Sequence, residues 1–191
     1  MEKVQVDIIN LRENLNKKLI ESGWDTMLSP YINGLSFDHI INELVNNVNA
    51  GKRFTPKFKD IFNAFYECPY DKVKVVMVGQ DPYPQLGVAD GIAFSCSKKG
   101  KAEKSLQYIN KAAGTDHVDL TCWANQGVLL LNTAFTCEVN KIGSHYAIWK
   151  SFTEYLFDNL NRHNQDLIFV LLGKKAEAWS PWLDNVKKIN V

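Results

Sequence analysis

The sequence predicts an α/β fold, three layers deep (α/β/α), around a central and mainly parallel sheet of four strands. Three short apolar runs carry that expectation, Val73 to Val78, Val128 to Leu131 and Leu167 to Leu172, each of the continuous, partly β-branched kind found in strands buried on both faces. Helical stretches separate them, so parallel pairing through crossovers is expected. The run from Val186 to Val191 supplies the fourth strand.

The first third reads as helical. Val6, Ile9, Leu11, Leu15 and Leu19 recur at about helical spacing up to Gly23, and a second helix runs from Ser36 as N-cap through Ile40, Ile41, Leu44, Val45 and Val48 to Gly51. The first is expected over Val4 to Leu19, packed on the sheet or on another chain. Thr55 and Pro56 then suit the N-cap and first turn of a third helix, in which Phe58, Ile61, Phe62 and Phe65 share a face. Between the strands, residues 104–114 and 148–163 read as the crossover helices. No repeat, low-complexity tract or linker divides the chain, so residues 1–191 read as one domain, long enough to bury about 70% of its extended surface.

Composition narrows the class. With 46% hydrophobic and 23% charged residues the chain is neither disordered nor fibrous, and 22 basic against 21 acidic residues exclude a polycation that binds nucleic acid by overall charge. No apolar run approaches the ~20 residues of a membrane span. Cys68, Cys96, Cys122 and Cys137 form no C-x-x-C pair, and His39, His117, His145 and His163 form no H-x-x-x-H pair. Neither a zinc site nor a disulfide framework is expected, and a reducing cytoplasm fits.

In open parallel sheets ligands bind beyond the carboxyl ends of the strands, which directs attention to residues 79–91 and 132–144. Gly79-Gln80-Asp81-Pro82-Tyr83-Pro84 places a carboxylate on a loop stiffened by two prolines. Alone, the hexamer is equally an Asp-Pro turn with a packed tyrosine. Phe94 by itself reads as a core aromatic, and Asn132 also reads as a polar strand end capping a turn. Lys98, Lys99, Lys101 and Lys104 in SCSKKGKAEKS are equally a phosphate-holding patch or a solvated loop.

Taken in order, these segments resemble the uracil-DNA glycosylase family from about Trp24 to Val191. The resemblance rests on IFNAF at Ile61, on the strand and loop from Val73 to Tyr83, on DGIAFS at Asp90 and on WANQGVLLLN from Trp123 to Asn132. Ser144-His145, the helix from Trp149 to Phe157 and the strand from Leu167 to Gly173 continue it. It implies that the chain extrudes uracil from DNA and hydrolyses its N-glycosidic bond, leaving an abasic site, with no metal or organic cofactor. Asp81 would orient water and stabilise positive charge on the sugar. Phe94 would stack on the base, Asn132 read its edge, Tyr83 exclude the thymine methyl, and Gln80, with neighbouring backbone N–H groups, hold a base carbonyl. Ser105, the four lysines, Ser144 and His145 would meet the DNA backbone, His145 alternatively capping the next helix.

The resemblance implies a monomer acting on uracil-containing DNA in the cytoplasm, at the nucleoid or at a viral replication site. Pro84 stands where cellular members carry histidine. That proline, with the short spacing from Ser144 to Trp149, resembles the poxvirus or phage type. The family's His-Pro-Ser segment would begin just beyond Val191, so the domain is expected to lack that catalytic loop, and His117 and His163 are poor substitutes by position. Two alternatives accompany this reading: a catalytically weak or inactive glycosylase-fold scaffold that binds DNA or a replication or repair protein, and a glycosylase for another modified pyrimidine.

Overall fold

A computed structural model of the chain describes residues 4–163, 166–183 and 187–190. Its first three helices are α1 (Ile8–Ser22), α2 (Asp25–Ile32) and α3 (Leu35–Asn49). Asp7 caps α1, its carboxylate accepting from the backbone N–H groups of Ile9 and Asn10, and Gly23 ends it at φ 75°. The buried stripe of α1 is Ile8, Leu11, Leu15 and Leu19, whereas Val6 and the 67%-exposed Ile9 turn outward. The expected spacing therefore held for three of its five residues. Gly34, two residues before Ser36, caps α3. α2 is not among the helices the sequence predicts; Pro30 lies inside it, and Trp24, Met27, Leu28 and Ile32 are all buried.

The third helix departs further from expectation. Phe54–Thr55 form a short strand, β1, paired antiparallel with β4 (Cys137–Glu138), so Thr55 is a ladder residue and caps nothing. A 3₁₀ turn over Phe58–Asp60 follows, and only α4 (Asn63–Glu67) is α-helical. Long-range contacts explain the break. The Ala64 N–H donates to the Gly91 carbonyl and the Asn63 amide to the Asp90 carbonyl, which ties this segment to the loop after the first long strand.

That strand is β2 (Val75–Gly79). It is followed by α5 (Lys104–Ala113), α6 (Thr121–Ala124), β3 (Val128–Asn132), α7 (Tyr146–His163), β5 (Ile168–Leu171), α8 (Lys174–Glu177) and β6 (Lys187–Asn190). The four long strands form one sheet in the order β3-β2-β5-β6, every neighbouring pair parallel. The expected four-stranded parallel sheet is present; Val186 and Val191, at the ends of the predicted last run, lie outside the described residues.

Strand periodicity divides the core in two. Val76, Val78, Leu129, Leu131, Phe169 and Leu171 face a large cluster built with α1–α4 and α7, where Phe62, Phe65, Phe135, Trp149 and Phe152 interlock. Met77 and Leu130 face a smaller cluster with Val88, Ile92, Leu106 and Leu120. These are the three layers. The chain leaves β2 toward β3 on one side and leaves β5 toward β6 on the other. The gap between the carboxyl ends of β2 and β5 is thus the switch point at which open sheets hold ligands.

Gly127 makes the tight entry to β3. It sits at φ 97°, and a Cβ there would lie 2.1 Å from the Lys72 carbonyl oxygen. We expect Gly127→Ala to lower the unfolding free energy by at least about 2 kcal/mol, read from urea melts with an unchanged slope.

Candidate active site

Beyond the carboxyl ends of β2, β3 and β5 lies a pocket of about 320 Å³, within the range of small-molecule sites. Gln80, Asp81, Pro82, Tyr83 and Pro84 line it from the loop after β2, Phe94 and Ser95 from the next loop, Ser105 from α5 and Asn132 from the end of β3. Residues scattered over more than fifty positions thus meet in one cavity. Ile61, Leu130, Phe135 and Leu172 close its apolar walls.

The tightest point is Gly79. A Cβ built there would come 2.6 Å from Cζ of Phe94 and 2.8 Å from Oδ1 of Asn132, so only a glycine lets ring and amide share the end of β2. Beyond it, the Gly79 carbonyl accepts from the Thr133 N–H and the Gln80 carbonyl from the Ala134 N–H and the Thr133 hydroxyl. The two loops are locked together where Asp81 begins.

Phe94 is held in the left-handed region, φ 67°, a conformation that costs a non-glycine residue on the order of 1 kcal/mol or more. Its surroundings impose it. Asp90, 5% exposed, accepts from the Ile92 and Ser97 N–H groups and from the Ser95 and Ser97 hydroxyls, while the Ala93 N–H donates to Leu130 on β3. The Tyr83 hydroxyl donates to the Phe94 carbonyl at 3.0 Å, and since it has a single proton, the 2.8 Å contact with Ser105 is a donation from the serine. Burial pushes the Tyr83 hydroxyl up to about 12, so it stays protonated. Asp90 and Asn63 are structural parts of this site that the sequence reading left without a role. Only the local Asx turn from Asp90 to Ile92 could have pointed to one of them.

Asp81 is half-buried. Its Oδ2 accepts from the Gln80 amide at 3.2 Å, the Gly143 N–H at 3.0 Å and the Tyr146 hydroxyl at 3.0 Å, whereas Oδ1 is buried and has no hydrogen-bond partner among the described residues. Burial raises its carboxyl above the ordinary carboxylate range; the three donors and the nearby Lys175 charge oppose that rise.

The lysine loop leaves the pocket rim between Ser95 and Ser105. Lys98 pairs with Asp60 and Lys99 with Glu103, while Lys101 and Lys104 are exposed without an ion pair among the described residues. Two of the four charges are therefore partly neutralised within the protein. Ser144 turns its hydroxyl inward as acceptor for the Glu138 N–H at 2.7 Å.

His145 corrects the sequence reading: it is 2% exposed, with Nδ1 2.8 Å from the Thr136 hydroxyl, which also accepts from the Trp149 indole N–H. Its ring cannot meet a DNA backbone, although its carbonyl accepts from the Trp149 N–H in the first turn of α7. Burial lowers its pKa to about 4.

A loop carboxylate, an aromatic ring and a side-chain amide thus meet in one pocket at the switch point of the sheet. The sequence pattern of the Uracil DNA glycosylase superfamily matches residues 65–188. The chain is 41% identical over 142 residues to Uracil-DNA glycosylase 1 of Listeria monocytogenes serotype 4b, covering 70% of this chain and 64% of that protein. It is 40% identical over 172 residues to the uracil-DNA glycosylase of Coxiella burnetii strain CbuG_Q212, covering 86% and 75%. The crystal structure of mimivirus uracil-DNA glycosylase superposes with a TM-score of 0.78 at 30% identity, over 88% of this chain and 66% of that one. The chain belongs to the uracil-DNA glycosylase superfamily, and it spans about two thirds to three quarters of the length of these relatives.

A buried neutral imidazole has a pH signature. Below pH 6.5 the unfolded chain takes up a proton that folded His145 refuses, so stability falls as pH drops from about 6.5 toward about 4 and this contribution then levels off. The loss attributable to this group is up to about 3 kcal/mol. Urea melts of the wild type and His145→Asn across that window should show it as a difference between the two slopes.

Proposed function

We propose that this chain takes a uracil nucleotide extruded from DNA and hydrolyses its N-glycosidic bond, releasing uracil and leaving an abasic sugar. The observation that carries the reading is the convergence of Asp81, Tyr83, Phe94 and Asn132, from separate segments, on one pocket. Phe94 offers its ring to the base. The Asn132 amide carries one donor and one acceptor, matching O4 and N3–H of uracil, whereas cytosine presents the reverse order. The Tyr83 ring is held through its hydroxyl at both Phe94 and Ser105 and cannot swing away, so a methyl on the pyrimidine C5 would meet it.

Asp81 acts on the sugar side. As the C1′–N1 bond breaks, its electron pair leaves with the base and positive charge grows on the sugar, opposed by the carboxylate. The water oxygen then bonds C1′, one of its protons passes through Asp81 to solvent, and the departing uracil anion takes up a proton from solvent. Oδ2 is held by three donors, and the buried Oδ1 is the carboxylate oxygen without a partner among the described residues. Gln80 serves by holding Asp81 with its amide. Ser105, Lys101 and Lys104 stand at the rim for DNA phosphates, with Lys98, Lys99 and Ser144 as supports.

The partner is uracil-containing DNA, bound by a monomer in the cytoplasm or wherever DNA is replicated. Among the described residues no helix is long and apolar enough to cross a membrane. Pro84 and the short Ser144 to Trp149 spacing support a poxvirus-type or phage-type variant within the superfamily.

The test is alkali-developed cleavage of a single-stranded oligonucleotide carrying one uracil, with a thymine control. Wild type is expected to cut at uracil alone and Asp81→Ala to be slower by about 10²–10³. Binding without cleavage would instead support the scaffold reading, and cleavage only at other modified pyrimidines the altered-base reading.

A further inference from the structure

We infer that Tyr146, backed by Lys175, is the positioning pair that fixes the Asp81 carboxylate in orientation and in its ionised form. The inference rests on the proposed role of Asp81 and deepens it. Pro84, three residues after Asp81, has no side-chain donor and no N–H, so the loop itself offers the carboxylate little beyond Gln80. The support comes from across the cleft. The Tyr146 hydroxyl, at the first residue of α7, donates to Oδ2 at 3.0 Å, next to the Gly143 N–H. Lys175, on α8, places Nζ 5.9 Å from the centre of the Tyr146 ring, and its charge acts on Asp81 as well. Tyr146 and Lys175 also line a small cavity with Thr133, Lys150 and Trp179, separate in its lining from the pocket that holds Phe94 and Asn132. Tyr146 is therefore outside the base pocket and acts through Asp81.

The chemistry explains why such a pair is needed. A half-buried carboxylate with one orphan oxygen drifts toward its neutral form, and a neutral acid neither opposes sugar charge nor accepts from water. A phenol donor favours the ionised form, and it remains a donor because burial and the Asp81 charge raise its own pKa. The titratable groups acting on Asp81 are few. Tyr146 comes from α7, Lys175 from α8, and the Cys137 thiol from β4, held protonated by burial while it donates to the Pro82 carbonyl.

The test is Tyr146→Phe, read in two ways on the full chain. In a ¹³C-carboxylate NMR titration the Asp81 pKa is expected to rise by about one unit, the scale of one lost charge-assisted hydrogen bond. In the oligonucleotide assay the acid limb of kcat should move to higher pH by the same amount, with kcat near neutrality reduced about tenfold and KM unchanged. Lys175→Met should shift the Asp81 pKa in the same direction by less, and added salt should diminish the difference. An Asp81 pKa that does not change in Tyr146→Phe would overturn the inference, whether or not the wild type cleaves uracil. Absence of cleavage by wild type, with the pKa shift present, would overturn the proposed function and leave the Tyr146–Asp81 coupling standing.

Discussion

The site depends on how close three groups come at the carboxyl end of β2. Gly79 has no side chain, so the Phe94 ring and the Asn132 amide occupy the volume its Cβ would fill. The parallel register makes this possible by setting Gly79 directly beside Asn132 on the neighbouring strand. The Phe94 ring and the Asn132 amide thereby stand at a separation set by strand geometry. The cost is local strain at Phe94, offset by the four hydrogen bonds that Asp90 accepts and by the Tyr83 hydroxyl.

A second constraint acts on charge. Asp81 lies deep enough for burial to oppose its ionisation, and three donors, one from the neighbouring Gln80 and two from residues 143–146, oppose that effect at one oxygen. Preorganised donors of this kind need no rearrangement during the reaction. In the lysine loop, pairing with Asp60 and Glu103 holds two cations in place, while Lys101 and Lys104 are exposed without an ion pair among the described residues.

Much of this was legible in the sequence because strands buried on both faces declare themselves as apolar runs, and because the polar residues that end them lie where parallel sheets bind ligands. Asp81, Tyr83 and Asn132 lie in the loops picked out that way, Phe94 and Ser105 were legible only through the family resemblance, and the structure gathers all five around one pocket. What failed was set by tertiary contacts. The expected helix from Thr55 divides because Thr55 pairs with Cys137 and Ala64 bonds to Gly91, contacts with no local signature. His145 follows an exposed-looking Gly-Ser yet is buried against Thr136, and Tyr146 looked like an ordinary helix residue until its hydroxyl was found on a carboxylate 65 positions away.

Strand geometry at Gly79 sets the separation of Phe94 and Asn132, the pair proposed to read the base, and Gly79→Ala tests this most directly. The atoms its methyl would strike are the ends of two side chains, not backbone, so the fold should accommodate it while Phe94 and Asn132 are pushed apart. Calorimetric titration with free uracil is expected to show binding to wild type and its loss in Gly79→Ala, with a cooperative urea transition retained in both. Undiminished uracil affinity in a folded Gly79→Ala protein would contradict the account.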